Sequence, residues 1–476
     1  MHKRLRARTW LAVLVALALV AAACGGDDDD TGTTTAAPVG TTEAPGDTEA
    51  PGDTEAPGDT TAAPAAPAEF SLFGAPTGAE GDALDGFLDV YNGETGSNIT
   101  YEGSDNFEEQ LRIRVEGGNP PAMAFTPQPG SICEFADAGS LVSLEDMGFD
   151  IAEMETNHSK FWMDLGVCAD GQHYGIPWFP NFKSVIFYHE PTFTAQAYEI
   201  PTTYEDLVAL SGTMVSDGFT PWCFGFGSGD ATGWPGTDWL EDIVVRNSGG
   251  EFYGQWFRHE VPFNDPAVVE AFDIFGQIMF GEGFVLGGPD GVAAIDFGES
   301  PLPMFNEPPS CLMLKQGSFI QNFFPEGGTD TVKFFPFPTI GGNTGAMGGG
   351  DTIIVFDGSP ENVQAIRDWI TPEWGCVLAS ASGGTASALG GHGVAGVERL
   401  PGHKDTSLDC YETDGNKAIA GSITEALATN NFVFDASDLM PPAVGQGSFW
   451  TGMVDWTRGT ASQEVADAIE ASWPTS

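Results

Sequence analysis

Apolar residues recur along most of the chain with the spacings of alternating strands and helices. Short β-rich runs at 70–73, 98–101 and 123–126 predict strands. Between them, apolar residues return at helical spacing over 82–91 and 107–115, which predicts two helices. This alternation of strand and helix favours an α/β layer with a parallel sheet.

Helix starts in the second half of the chain carry local capping signals. Thr203 and Asp206 have the spacing of a capping box. Asp265 and Ser359 each stand directly before a proline, a combination typical of the first turn of a helix, and a last helix is predicted over 463–473. Further β-rich runs predict strands at 183–188, 223–226 and 353–356.

The first residues form a targeting signal rather than a domain. A basic segment at 3–8 precedes an apolar run at 10–20 that is too short to span a bilayer comfortably. Small residues at 21–23 then lead to Cys24, a pattern that resembles a bacterial lipoprotein signal. We therefore expect a signal peptide over 1–23 and a lipid on Cys24, with an ordinary secretory signal and a chance cysteine as the alternative.

A low-complexity segment follows Cys24. The hexapeptide Glu-Ala-Pro-Gly-Asp-Thr occurs three times between residues 43 and 60, and almost no apolar side chain accompanies it. Such a composition cannot offset the entropy of ordering the chain. We expect 24–68 to be a disordered, lipid-anchored tether and 69–476 to be the folded body.

The charge balance excludes two classes of partner. The chain has 68 acidic and 17 basic residues, for a formal net charge of -51. Nucleic acid and anionic lipid headgroups repel such a chain, so no nucleic-acid partner is expected and membrane contact is limited to the lipid anchor.

Cysteine usage points to disulfides. If Cys24 carries lipid, six of the seven cysteines remain, and an even set in an exported chain favours disulfide bonds. A zinc site is the alternative, but no Cys-x-x-Cys pair exists and the seven histidines are scattered, so no metal is expected. Pairing of sequence neighbours closes each loop within one region of the chain: Cys133 with Cys168, Cys223 with Cys311, and Cys376 with Cys410.

Residues 101–144 carry the strongest resemblance to a known family. Five motifs occur in order: Tyr-Glu-Gly-Ser at 101–104, Phe-Glu at 107–108, Arg-Ile-Arg-Val-Glu-Gly-Gly-Asn-Pro-Pro at 112–121, Pro-Gln-Pro-Gly at 127–130 and Gly-Ser-Leu-Val-Ser-Leu at 139–144. They resemble the bacterial extracellular solute-binding proteins of ABC sugar importers, broadly the maltose-binding-protein-like class. Ala122 stands where the family usually has Asp, so any contact made by that Asp is lost here.

Later segments extend the resemblance over nearly the whole body. Residues 174–178 with 183–188 resemble the first crossing between lobes, 348–351 resembles the return crossing, and 200–207 is similar to the family's Pro-Thr-Thr-Trp helix start. Trp234-Pro235 and 238–242 look like the alpha-glucoside-type branch. The resemblance implies a two-lobed, periplasmic-binding-protein-like α/β fold with a hinge and an interlobe ligand cleft. We expect lobe 1 to span about 69–178 and 336–395, and lobe 2 about 179–335 and 396–476.

The candidate ligand contacts follow from the chemistry of sugars. A sugar has weakly apolar faces, which stack on aromatic rings, and hydroxyl rims, which pair with planar donors and acceptors. Many of the 12 tryptophans stand beside Gly, Pro, Asp or Asn, as loop aromatics at strand ends do, although packing in a core is the alternative for each. The candidates are Trp178, Asn181, Lys183, Trp222, Trp234, Asp238, Trp239, Asp351 and Trp450, with Glu108 added from the resembling stretch.

The function implied by the resemblance is that of a receptor without catalytic activity. We expect a monomer on the outer face of the cell membrane that captures a carbohydrate, such as an oligosaccharide or alpha-glucoside, and delivers it to the permease transmembrane subunits without a cofactor. A secreted lipoprotein glycoside hydrolase and a lectin-like surface protein remain the alternatives. With 68 acidic residues, the sequence does not exclude a pair of carboxylates placed to hydrolyse a glycosidic bond. The serine-nucleophile motif Gly-x-Ser-x-Gly is absent.

Overall fold

The computed structural model describes residues 66–379, 400, 402–411, 414–428 and 432–474. The expected signal peptide, Cys24 and nearly all of the expected tether lie outside these residues. Within the described ranges, no helix combines the length and apolar character needed to cross a membrane.

Strands and helices alternate through the first part of the body, as the apolar spacing predicts. The strands are β1 (Glu69–Gly74), β2 (Asn98–Gly103), β3 (Met123–Thr126), β4 (Ile176–Phe182), β5 (Val185–His189), β6 (Met313–Lys315), β7 (Val332–Pro336), β8 (Ala346–Val355) and β9 (Phe432–Phe434). The α-helices are α1 (Gly78–Thr95), α2 (Phe107–Glu116), α3 (Ile132–Asp137), α4 (Ile151–Asn157), α5 (Lys160–Asp164), α6 (Glu190–Gln196), α7 (Tyr204–Ser216), α8 (Trp234–Phe257), α9 (Pro266–Met279), α10 (Gly328–Thr331), α11 (Pro360–Trp369), α12 (Pro372–Ala379), α13 (Asp414–Ala428), α14 (Ala436–Leu439), α15 (Trp450–Thr457) and α16 (Ser462–Ala471).

The strands form two sheets, a mixed parallel and antiparallel one and a purely antiparallel one. The larger sheet has the order β2-β1-β3-β8-β4, with β9 beside β8, and the smaller has the order β6-β5-β7. β1 runs parallel to β2 and β3, as expected, and β9 runs parallel to β8. β8 runs antiparallel to β3 and β4 because it returns from the smaller sheet, whose own pairs are all antiparallel. The expectation of a parallel sheet therefore holds only for part of the larger sheet.

Two aromatic-rich cores fix these sheets. Around the larger sheet, Trp178 and Trp369 stack with ring centroids 5.3 Å apart, and Phe87 of α1 packs edge-on to both. In the other core, α8 packs against α9 and α15, and Trp239 stacks on Phe275 at 4.9 Å. Side chains this large dominate the apolar area that is removed from water on folding.

Two of the three predicted helix caps form. Thr203 accepts a hydrogen bond from the backbone N–H of Asp206, and Asp265 accepts one from that of Ala267. α11 begins at Pro360 as predicted, although Ser359 makes no side-chain cap.

In the middle of the chain, one predicted strand is wrong and one helix was not predicted. The predicted strand at 223–226 is wrong: its neighbours Trp222 and Gly227 form only isolated bridges, because the backbone N–H groups of this segment bond to separate parts of the chain. Helix α8 is not anticipated, because every residue from Pro235 to Arg246 is buried and no amphipathic period is visible.

The described cysteines form the pairs expected from sequence order. The Cα–Cα distances are 5.4 Å for Cys133–Cys168, 5.5 Å for Cys223–Cys311 and 5.2 Å for Cys376–Cys410. These separations lie within the normal range for disulfides.

We predict that the oxidised body, residues 69–476, contains no free thiol, because all six of its cysteines are paired. A thiol-reactive chromophore added under denaturing conditions measures this, and the reduced protein serves as the positive control. Any reactive thiol before reduction would contradict the pairing.

Candidate functional site

A cavity of about 280 Å³ opens at the carboxyl ends of β1, β2 and β3. The turn after β1 contributes Thr77, the turn after β2 contributes Ser104 and Asp105, and Gln128 follows β3. Loops at the carboxyl ends of parallel strands are the usual place for ligands in open α/β sheets. This wall is polar: Glu80 of α1 and Glu108 of α2 also line it.

The opposite wall is aromatic. Trp234, the first residue of α8, lies 5.2 Å from Phe297 and 5.9 Å from Phe319, measured between ring centroids. Phe323 and Trp450 complete this wall, and Phe323 lies 5.3 Å from Phe297. Trp234 and the three phenylalanines are only partly buried, so ring surface faces the cavity.

The floor comes from β4 and β8, the strands of the larger sheet from which the chain leaves for the smaller sheet and to which it returns. Asn181 of β4 and Asp351 of β8 both line the cavity, and these strands pair residue by residue from Phe179↔Asp351 to Phe182↔Gly348. Lys183 follows at the end of β4. A Cβ at Gly349 would lie 3.1 Å from Cε of Lys183, so this glycine leaves the space that the lysine side chain occupies.

Lys183 is buried and paired with two carboxylates. Its Nζ donates to Oδ1 of Asp238 at 2.9 Å and to Oδ2 of Asp435 at 2.5 Å. Burial alone would lower the pKa of Lys183, but the nearby carboxylates of Asp238, Asp435 and Asp438 raise it well above its ordinary value. The ammonium group is therefore charged, and it also lies 5.3 Å from the centroid of the Trp234 ring.

A second layer of buried charge lies behind Lys183. Lys315 donates to the backbone oxygen of Asp238 at 3.0 Å and lies 3.4 Å from Oδ2 of Asp242, and Arg246 pairs with the same carboxylate. Glu241 accepts from the backbone N–H groups of Ala436 and Ser437 at 2.7 and 3.0 Å. These contacts tie α8 to β6 and to the first turn of α14.

Acids outnumber cations in this network, and the excess shifts their protonation. Burial raises the pKa of Asp238 to about 7, against the opposing effect of Lys183. Burial also raises the pKa of Glu241 well above its usual range, with Asp435 and Asp238 adding to the effect. Burial acts in the same direction on Asp435, but Lys183 and hydrogen bonds hold its pKa well below the ordinary value. Asp435 is therefore the ionised partner of the lysine.

The rim of the cavity is a contact between its two walls. A Cβ at Gly229 would lie only 2.7 Å from the backbone oxygen of Asp105, and Gly229 has a φ of 53°. The side-chain nitrogen of Asn106 faces across the rim and donates to Oδ2 of Asp230 at 3.2 Å. Burial and the charge of Asp230 raise the pKa of Glu108 to about 7. The loops at 104–106 and 228–230 thus meet at the mouth of the cavity.

The structure gathers six of the ten candidate residues in this cavity and places four elsewhere. Glu108, Asn181, Lys183, Trp234, Asp351 and Trp450 line it. Asp238 lies behind the wall as the partner of Lys183. The remaining three are core residues: Trp178 stacks on Trp369 and Phe179, while Trp222 and Trp239 pack 5.2 Å apart, with the Trp222 indole donating to Ser211.

Several residues of the site are absent from the sequence-based candidates. Phe297, Phe319 and Phe323 stand near Gly, Asp or Asn as the tryptophans do, so the same loop-aromatic signal would have found them. Asp435 and Asp438 carry no such signal, because their relation to Lys183 spans about half of the chain. Among the described residues, no group of His, Cys, Asp and Glu has the geometry of a metal site.

We predict that Lys183→Met destabilises the fold by about 3–5 kcal/mol, because it leaves buried carboxylates without their counter-charge. Lys160→Met is the matched control, since Lys160 pairs with Glu155 and Asp164 at the surface and its loss should have little effect. Urea unfolding measures both free energies. Equal stabilities of the two variants would contradict a structural role for the Lys183 pairs.

Comparison with known proteins identifies relatives across most of the chain. The family model for bacterial extracellular solute-binding proteins matches residues 75–371. The osmoprotective compounds-binding protein GgtB of Synechocystis sp. is 36% identical over 409 residues, covering 85% of this chain and 92% of the relative. The alpha-glucosides-binding periplasmic protein AglE of Rhizobium meliloti is 36% identical over 415 residues, covering 85% and 86%.

Solved structures agree with the fold. The bacterial solute receptor AcbH, described as having an exclusive preference for β-D-galactopyranose, superposes with a TM-score of 0.68 at 19% identity, covering 85% of this chain and 98% of AcbH. A chitin oligosaccharide binding protein gives 0.68 at 17% identity, covering 85% and 98%. At these identities the likeness shows the fold alone, and the predicted two-lobed, periplasmic-binding-protein-like α/β fold is confirmed.

Proposed function

Because the chain belongs to the bacterial extracellular solute-binding protein family, we propose that it captures a carbohydrate in the cavity between its walls and delivers it to an ABC permease. The observation that carries this proposal is the pairing of an aromatic wall around Trp234 with a polar wall around Asp105 and Glu108. Sugar rings stack on the first and donate hydroxyl protons to the second. No catalytic step is part of the proposal.

An α-glucoside or short oligosaccharide is the proposed ligand. The names of the two relatives point to alpha-glucosides and to osmoprotective compounds. A cavity of about 280 Å³ is near the lower limit of small-molecule sites, which begin at about 300 Å³, and so suits a short glycoside better than a polymer.

The proposed working cycle uses the crossings between the sheets as hinges. The lobes, about 69–178 with 336–395 and about 179–335 with 396–476, would move about the segments near 177–188 and 351–356. A sugar that touches both walls favours the closed state, because only that state makes all of its contacts. A lipid on Cys24 would hold this monomeric receptor near the permease.

Calorimetric titration of the purified protein with mono- and disaccharides tests the function, with amino acids and a short peptide as controls. Binding of α-glucosides at micromolar concentration or below is expected, and binding of only the controls would contradict the sugar assignment. Overnight incubation with the bound oligosaccharide should leave it intact, whereas cleavage products would indicate a glycoside hydrolase.

We predict that Trp234→Ala weakens sugar binding by about 1–3 kcal/mol, because a stacking surface of the aromatic wall is lost. Phe280→Ala is the matched control, since Phe280 is a 46% exposed aromatic residue that does not line the cavity. The same calorimetric titration measures both. An unchanged affinity in Trp234→Ala would remove this ring from the binding site.

We predict that Gly229→Ala weakens sugar binding about tenfold or more, because the added methyl group meets the backbone of Asp105 when the walls close. Gly171→Ala is the control for backbone strain. Gly171 also has a positive φ of 81°, but nothing lies within 4 Å of the position that its added Cβ would take. Small-angle scattering with and without sugar reports closure. Normal closure in Gly229→Ala would show that the rim contact does not govern it.

A further inference from the structure

Carboxylates dominate the charge of the cavity. Lys183 is the only basic residue among the described residues that line it. Seven acidic residues line it with the lysine: Glu80, Asp105, Glu108, Asp296, Asp351, Asp435 and Asp438. A ligand that enters this space exchanges water for a surrounding of mostly acidic side chains, although burial raises the pKa of Glu108 to about 7 and that of Asp438 well above its usual value.

The single lysine does not offer a counter-charge to a ligand. Its ammonium group already donates to Asp238 and Asp435, at 2.9 and 2.5 Å, and all three groups are buried. An anionic ligand would have to share this ammonium with two carboxylates. Among the described residues that line the cavity, the one basic side chain is therefore already shared between two carboxylates, which makes it a poor partner for a ligand carboxylate or phosphate.

The neutral donors of the cavity suit hydroxyl groups. Trp450 lines the wall, is 3% exposed, and its Nε1 has no hydrogen-bond partner among the described residues. This indole N–H is buried even from the cavity, so a ligand oxygen reaches it only if the Trp450 ring shifts on binding. Asn181 and Gln128 add amide groups nearby.

On this basis, and resting on the proposed function, we propose that the cleft selects glycosides by charge: it binds a glycoside with a protonated amine more tightly than its neutral parent and rejects anionic sugars. An ammonium group gains a charge-assisted hydrogen bond from the carboxylate of Asp105 on the polar wall, and its positive charge favours the ionised form of Glu108, whose pKa burial raises to about 7. A phosphate or carboxylate meets like charges, and like-charge contact is an effective means of rejecting a wrong ligand.

A matched series of sugars tests this proposal by calorimetry on the purified protein. Trehalose, 6-amino-6-deoxytrehalose and trehalose 6-phosphate share one scaffold and differ in charge; maltose and its amino and phosphate derivatives form a second series. We expect the amine to bind at least about fivefold more tightly than the neutral sugar, and the phosphate to bind more than about 100-fold more weakly. Added salt should reduce both differences, because it screens charges at the open side of the cavity.

Variants of the polar wall locate the effect. Asp105→Asn and Glu108→Gln keep the shape of each side chain and remove its charge, so the ratio of amine affinity to neutral affinity should fall towards one in each. Ser104→Ala, on the same rim but uncharged, should leave that ratio unchanged. The ratio is the readout because either acidic variant can also weaken binding of the neutral sugar.

Two results would overturn the inference while the proposed function stands: equal affinity for trehalose and its phosphate, or an amine that binds more weakly than the neutral parent in the series that binds. Absence of binding by both neutral sugars would instead contradict the α-glucoside proposal on which the inference rests.

Discussion

The burial of one ammonium group constrains the architecture around the cleft. Lys183 stands where the chain crosses from the larger to the smaller sheet, and its partners Asp238 and Asp435 come from α8 and from the turn after β9. Each charge would be costly to bury alone, so these distant segments stabilise the fold only when they meet. Gly349 of β8 leaves the room that this meeting needs.

The two walls of the cleft follow from that arrangement. With α8 fixed through Asp238, its first residue Trp234 presents its ring beside Phe297 and Phe319. The parallel strands β1, β2 and β3 end opposite, and their turns bring acidic and amide groups to the same cavity. Stacking surface on one side and hydrogen-bond acceptors on the other are what a sugar requires. At the rim, a Cβ at Gly229 would lie only 2.7 Å from the backbone oxygen of Asp105, so glycine leaves room for the two walls to approach this closely.

Sequence reasoning succeeded where the determining contacts are local or periodic. The β1–α1–β2–α2–β3 series and the caps at Thr203 and Asp265 follow from patterns a few residues long. Helix α8 was not predicted, because its residues from Pro235 to Arg246 are buried on all sides and show no amphipathic period. The predicted strand at 223–226 does not form, because its hydrogen-bond partners come from separate segments. Trp178 and Trp234 both neighbour a proline, so the sequence around them is alike. Tertiary packing places the Trp178 ring against Trp369 in the core and the Trp234 ring at the cavity. Asp435 could not be predicted as a site residue, because its partner Lys183 lies 252 residues away in the sequence.

A crystal structure of the protein grown with an α-glucoside such as trehalose or maltose would show directly where the sugar binds. We expect sugar density inside the cavity, with one ring against Trp234 and hydroxyl groups within hydrogen-bond distance of Asp105, Glu108 or Asn181. Sugar bound at another surface, with the cavity filled only by water, would contradict this expectation.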